Sequence, residues 1–450
     1  MYLAPMKTIT NKTAQLLLCS IAMALFLNSC KTAPLNLFQT GTPHELYQRK
    51  LSAAGLDQTA MGRAWISASS QSLTQPSAIK LPYRESGYFA AERIPAVTYS
   101  FDATRGQQIT LQLSKTPATD LMIYVDIWML RDGNSPKRVA AADTLNNPVV
   151  FEADQTAKYI LRLQPELLKS GSYTLEIKTG PSLKNPIKAM RRNQIQSYWG
   201  DGRDANARRH EGVDIFSTFR TPILASAPGT ITRVNENTLG GKVVFLRPSG
   251  KDYSLYYAHL DEQLAREGQQ VTPGDTLGFM GNTGNARTTP PHLHFGIYTN
   301  SGAIDPLPFI DPAIAAPAPI TAALAQLNAT SRTAVPVNLT SGPERNSQTR
   351  EKLAAGTIVH IDAAAAELYK VSLPDGRAGF LRSRDLNPVT KPIRKIKLSQ
   401  TQQQLFDQPA NVAAIKKNLN EGATVDVLGS YQDFYMVRDA AQEIGWVRAN

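Results

Sequence analysis

Apolar and polar positions alternate with a period of two along much of the chain, as strands that bury one face require. Gln108-Ile109-Thr110-Leu111-Gln112-Leu113 and Tyr159-Ile160-Leu161-Arg162-Leu163 are such runs. Met122-Ile123-Tyr124-Val125-Asp126-Ile127-Trp128 is a more continuous apolar strand. Asp132-Gly133-Asn134-Ser135-Pro136 supplies a turn between strands. The pattern predicts a small β-sandwich over 91–180, read as a spacer that holds the next domain off a membrane. Residues 30–90 look partly helical. Asp57 is the expected cap of a helix running to about Ser70, with Ala60, Met61, Ala64, Trp65 and Ile66 on its apolar face. Pro76 and Pro82 then break regularity.

The C-terminal third repeats itself. At a constant offset of 66, Gly356 matches Gly422, Leu368 Phe434, Tyr369 Tyr435, Val371 Val437, Gly379 Gly445, Phe380 Trp446 and Arg382 Arg448. A unit of that size built of short strands suits a small barrel rather than a solenoid. The aromatic after each glycine is read as core. The stretch 308–319, rich in Pro and Ala, reads as a stiff linker.

Only the N-terminus carries a long apolar run, from about Ala14 to Leu27 behind Lys7 and Lys12, so a multi-span membrane protein is excluded. Leu27-Asn28-Ser29-Cys30 follows and resembles the lipobox of bacterial lipoproteins. That resemblance implies cleavage after Ser29, acylation of Cys30 and a membrane anchor through lipid. Cys19 would leave with the signal, so the mature chain would hold no thiol for a disulfide. Lys31 after the cysteine favours the periplasmic side of the outer membrane.

The chain has 450 residues, enough for two to four domains. Lys plus Arg exceed Asp plus Glu by 11, which suits an anionic partner such as a cell wall. The surplus is spread out and no groove-reading motif accompanies it, so no nucleic acid is expected.

Four of the six histidines fall between 210 and 294, in His210-Glu211-Gly212-Val213-Asp214, Tyr257-Ala258-His259 and His292-Leu293-His294. His210 and Asp214 can converge if their segment is extended, and His292 and His294 share a strand face. His259 ends the alternating run Tyr253-Leu255-Tyr257-His259 on one side of its strand. Two imidazoles and a carboxylate from this set are the inventory of a catalytic zinc site with an open position. The remaining histidines are free for proton transfer and oxyanion stabilisation. This is not the helical zinc-protease motif, because position 214 is Asp rather than His.

The stretch 197–308 resembles the lysostaphin/LytM family of zinc metallopeptidases that cut peptide bonds in bacterial peptidoglycan. H-x-x-x-D, an intervening His and H-x-H occur in order. Between them lie Ala227-Pro228-Gly229-Thr230, Gly240-Gly241, Gly274-Asp275-Thr276-Leu277-Gly278 and Gly281-Asn282-Thr283-Gly284. The resemblance implies one zinc ion per chain on His210, Asp214 and His294, with His292 as general base and His259 as the oxyanion partner. Trp199-Gly200-Asp201-Gly202-Arg203 is similar to the family's aromatic-Gly-x-Arg turn with one extra residue. Arg203 is either a contact for a substrate carboxylate or half of a loop ion pair. The repeats resemble tandem bacterial SH3-like domains, which bind wall peptides.

The expected fold is therefore mainly β, with an N-terminal β-sandwich, an antiparallel-sheet LytM-type peptidase domain and two C-terminal SH3-like small barrels. The expected boundaries are 1–29 signal peptide, 30–90, 91–180 sandwich, 186–312 peptidase, 313–324 linker, 325–390 and 391–450 barrels. The expected function is a lipid-anchored zinc endopeptidase of peptidoglycan cross-links. The alternative is a wall-binding activator of other hydrolases; such relatives lack one or more of the five site residues, and this chain keeps all five.

Overall fold

The computed structural model describes residues 41–93, 95–131, 134–203, 205–399 and 403–449. The export segment read over 1–29 and the acylation read at Cys30 lie outside them. What is described is mainly antiparallel β, preceded by two helices. Among the described residues no helix is long and apolar enough to cross a membrane.

Thr42 caps the first helix, Pro43–Ala53. Its hydroxyl accepts from Glu45 N while Glu45 takes the Thr42 N–H, a reciprocal box. The second helix, Ala60–Gln71, is capped by Thr59, whose hydroxyl accepts from Gly62 N at 3.1 Å. Asp57, the expected cap, lies instead in a 3-10 turn, Leu56–Gln58. That turn folds tightly onto the helix start: a Cβ on Gly62 would lie 1.9 Å from Leu56 O, so only glycine fits there. Trp65, on the predicted apolar face, is buried and donates its indole N–H to Pro165 O at 2.8 Å.

One sandwich sheet runs in the order Ser77–Ala78, Val97–Ala103, Ala157–Pro165, Ile123–Arg131, Asn134–Ala141. The facing sheet runs Tyr83–Phe89, Gly171–Pro181, Gln107–Thr116, Val149–Glu152. Two strands therefore precede residue 91, within the segment expected to lose regularity. Asn134, Ser135 and Pro136 already belong to a strand rather than a turn, and residues 132 and 133 lie outside the described ones.

The sandwich is not a free spacer. Tyr83–Phe89 pairs antiparallel with Ile358–Ala365 of the first C-terminal repeat, with Ser86 opposite Ala364, so one sheet crosses both units. Its other end meets the histidine-bearing domain through Lys251–Glu152 at 2.6 Å, Arg105–Asp252 at 3.3 Å and the Phe309 ring pressed on Gly106. Edge pairing satisfies backbone groups that a free spacer would leave to solvent.

The internal repeat is realised strand for strand. Val337–Thr340, Thr349–Leu353, Ile358–Ala365, Leu368–Ser372 and Ala378–Arg382 recur 66 residues later as Gln403–Phe406, Ile415–Leu419, Thr424–Tyr431, Phe434–Arg438 and Ile444–Arg448. Gly356 and Gly422 hold matching left-handed turns, φ +82° and +78°. Phe380 and Trp446 are both buried, as core aromatics are.

Between sandwich and repeats lies an antiparallel sheet ordered Ile195–Ser197, Val213–Phe216, His292–Thr299, Tyr253–Gln263, Gly241–Pro248, Gly229–Asn237, Gln270–Val271. One face carries the apolar core, including Val213, Ile215, Leu255, Tyr257, Leu293 and Phe295. The chemistry sits on the opposite face.

Candidate metal centre

Register places the cluster. Asp214 pairs with His294 and Phe216 with His292 across one strand boundary, and His294 pairs with Ala258 across the next. Directly opposed residues of antiparallel strands point to the same face. Asp214, His292 and His294 therefore share the face away from the core.

By strict alternation His259 belongs with Leu255 and Tyr257 on the core face, as the sequence pattern placed it. The structure corrects this. Lys242 pairs with Leu260 but Val244 with Tyr257, so one residue faces two and the strand bulges at Ala258–His259. His259 takes φ +64°, a left-handed value for a β-carbon-bearing residue. The bulge turns its ring to the other face, where its centroid lies 4.9 Å from that of His292 and 6.0 Å from that of His294.

Three donor atoms converge. His210 Nε2 lies 3.0 Å from Asp214 Oδ1 and 2.9 Å from His294 Nδ1, and His294 Nδ1 lies 3.0 Å from Asp214 Oδ1. His210 is buried and its Nδ1–H donates to the Tyr198 carbonyl at 2.9 Å, which leaves Nε2 as a lone pair. A lone pair and a carboxylate oxygen facing one another at that distance repel unless a proton or a metal ion lies between them. Two nitrogens and an oxygen suit a tetrahedral ion such as zinc. The donor set therefore fits a metal ion.

Surrounding groups hold the donors. Arg203 Nη2 donates to Asp214 Oδ2 at 2.7 Å and to Ser197 Oγ at 2.6 Å. Of its two sequence readings the structure shows the ion pair, and with a ligand residue at that. Burial opposes ionisation of Asp214, but the flanking His210 and His294 imidazoles outweigh it and hold the carboxyl well below its ordinary value. Burial lowers His294. Burial and the facing His292 and His294 push His259 down to about 4.

His259 and His292 are oriented alike. His259 Nδ1 donates to Thr283 O at 2.8 Å and His292 Nδ1 to Pro290 O at 2.9 Å. Each keeps Nε2 as an acceptor. His292 also stacks on Phe216, ring centroids 4.8 Å apart. The glycine framework makes the Thr283 contact possible. Gly241 has φ +63°, and a Cβ there would lie 2.2 Å from Thr283 Oγ1 and 2.4 Å from Gly284 N. All five predicted residues are thus brought together. Motif reading missed the Tyr198, Thr283 and Pro290 carbonyls and Ser197, because backbone acceptors carry no residue signature.

A buried His/Asp/His cluster flanked by two acceptor imidazoles defines the centre of a metallopeptidase-type domain. Residues 208–306 match the model of Peptidase family M23; the chain carries an M23 peptidase domain. It is similar to a metalloprotease of Haemophilus influenzae (34% identity; 32% of this chain, 28% of the relative). It is also similar to the L-Ala--D-Glu endopeptidase of Bacillus subtilis (35%; 28% of this chain, 42% of the relative). The match spans less than half of either relative's length. Among solved structures, the catalytic domain of lysostaphin from Staphylococcus simulans aligns at 30% identity over 26% of this chain and 92% of that one, TM-score 0.24.

Proposed function

We propose that this chain is a zinc metalloendopeptidase of the bacterial cell envelope that hydrolyses peptide cross-links of peptidoglycan. The observation that carries the reading is the meeting of all five residues, His210, Asp214, His259, His292 and His294, on one sheet face. The relatives named as peptidoglycan endopeptidases, including two of Vibrio cholerae, support the substrate class. The proposal includes lipid anchoring through Cys30, supported by the lipobox, and an outer-membrane site, supported by Lys31.

His210, Asp214 and His294 would hold the metal. Bound there, zinc supplies Lewis acidity toward a scissile carbonyl and a water. Arg203 keeps Asp214 aimed through its bond to Oδ2. His292 Nε2 is placed to take the proton of the attacking water, since Nδ1 is committed to Pro290 O. His259 sits beside it with the same tautomer. Once protonated, an imidazole donates from Nε2 to the developing oxyanion.

The test is release of new amino ends from purified peptidoglycan, identified by mass spectrometry, with and without a chelator and with His292→Ala. Loss of release in both controls is expected. Wall binding without release by the wild-type chain would overturn the reading in favour of the activator.

A further inference from the structure

Away from the metal centre, a cleft of about 1290 Å³ opens between the sandwich and the first C-terminal repeat. That exceeds the roughly 300–1,000 Å³ of small-molecule sites and fits a peptide-sized ligand. Its floor is the shared sheet, with Tyr88 and Tyr173 from the sandwich and Asp362 and Lys370 from the repeat. The segment around Pro76 overhangs it; a Cβ on Gly342 would lie 2.3 Å from Ala78 O, so repeat and overhang close on each other at one end.

Pairing among the lining charges leaves a remainder of one sign. Arg93 bonds Asp362 Oδ1 at 3.0 Å and Ser372 at 2.8 Å. Arg377 holds both Asp375 and Glu351, each at 2.6 Å. That uses every acid lining the cleft. Arg350, exposed at the mouth, bonds among the described residues the Ala378 carbonyl, at 2.7 Å. Lys370 is 6% exposed on the floor, and its ammonium donates to Tyr99 OH at 3.1 Å and lies 4.4 Å from that ring's centroid. Behind Tyr99, Glu85 is already engaged by the hydroxyls of Tyr83, Tyr99 and Tyr173. Among the described residues neither Lys370 nor Arg350 has a carboxylate within salt-bridge reach. Glu85 behind Tyr99 and Asp362 offset part of the cost of burying that ammonium, whereas the neighbouring Arg350 opposes it, so an anion shared by the two cations would relieve their repulsion.

We propose that this cleft is a second binding site, which takes the carboxylate of a peptide between Arg350 and Lys370. That the peptide is a wall stem peptide rests on the peptidase reading above. Held there, one strand of substrate would raise the effective concentration of the rest of the polymer at the metal centre.

The test is calorimetric titration of the full chain carrying His292→Ala with a stem tetrapeptide ending in a free D-Ala carboxylate, and with its C-terminal amide. Arg350→Gln and Lys370→Met are added singly. The free acid should bind, with affinity falling at least tenfold in each variant and on amidation. Arg350→Gln, at the exposed mouth, keeps the test valid if Lys370→Met fails to fold. Binding indifferent to Arg350→Gln and to amidation, or binding of a peptide-free glycan instead, overturns the proposal. Failure of the peptidase reading is separate: it shows as absence of fragment release by the parent chain, whatever the titration gives.

Discussion

The rings of His259 and His292 lie 4.9 Å apart on one sheet face, although His259 occupies a position that alternation assigns to the opposite face. The bulge at Ala258–His259 and the left-handed φ of His259 bring this about. Such local strain is held by its surroundings, here His259 N–H to Gly240 O at 2.8 Å and His259 Nδ1 to Thr283 O.

Arg203 acts on the metal through Asp214. Arg203→Ala frees Asp214 Oδ2 and should weaken metal affinity by about 10–100-fold, the usual cost of losing such an outer partner. Competition with a chromogenic chelator measures it. Unchanged affinity would show that Asp214 is held by the histidines alone.

Gly212 leaves no room for a side chain. A Cβ there would lie 2.7 Å from His294 Cε1, 2.8 Å from its Nε2 and 2.5 Å from Phe295 O. Gly212→Ala should displace His294 and lose both bound metal and activity. Gly180→Ala is the control, since its Cβ would find nothing nearer than 3.7 Å. Metal content of the two purified variants separates them.

Metal should stabilise the fold by mass action. With zinc a thousandfold above its Kd the gain is about 4 kcal/mol, read as a rise in Tm. His294→Ala removes a ligand and should abolish the rise, whereas His292→Ala should keep it. A Tm rise lost equally in both would contradict the division of ligand and proton-transfer roles.

His360, in the first repeat, predicts an acid limb. Burial and the nearby Arg93 push it from 6.5 to about 4. The unfolded chain binds the extra proton first. Stability from this group is thus complete above pH 6.5 and is lost as pH falls toward 4. The loss is on the order of 2 kcal/mol, reduced because the side chain is 24% exposed. His360→Gln should flatten Tm against pH in that window.

Much of this was legible in residue order. The 66-residue offset reappears in every paired strand because equal spacing of turn glycines and apolar positions builds equal hairpins. H-x-H puts His292 and His294 on one face because a period-two strand carries i and i+2 together, whereas His210 reaches Asp214 from the segment before the strand Val213–Phe216. The second helix and its buried Trp65 followed from local pattern too, with the cap displaced from Asp57 to Thr59.

What the sequence determined by itself was therefore local: strand periodicity, the repeat, and the residue types a metal centre needs. Tertiary structure decided the rest. It turned His259 across the sheet, set Arg203 on Asp214, selected the Tyr198, Thr283 and Pro290 carbonyls that hold three imidazoles, and joined Tyr83–Phe89 to Ile358–Ala365. Most of these contacts join groups on different strands or loops, and none is marked by the residue type alone. Backbone donors and acceptors are alike at nearly every residue, so their partners emerge only when strands find their register.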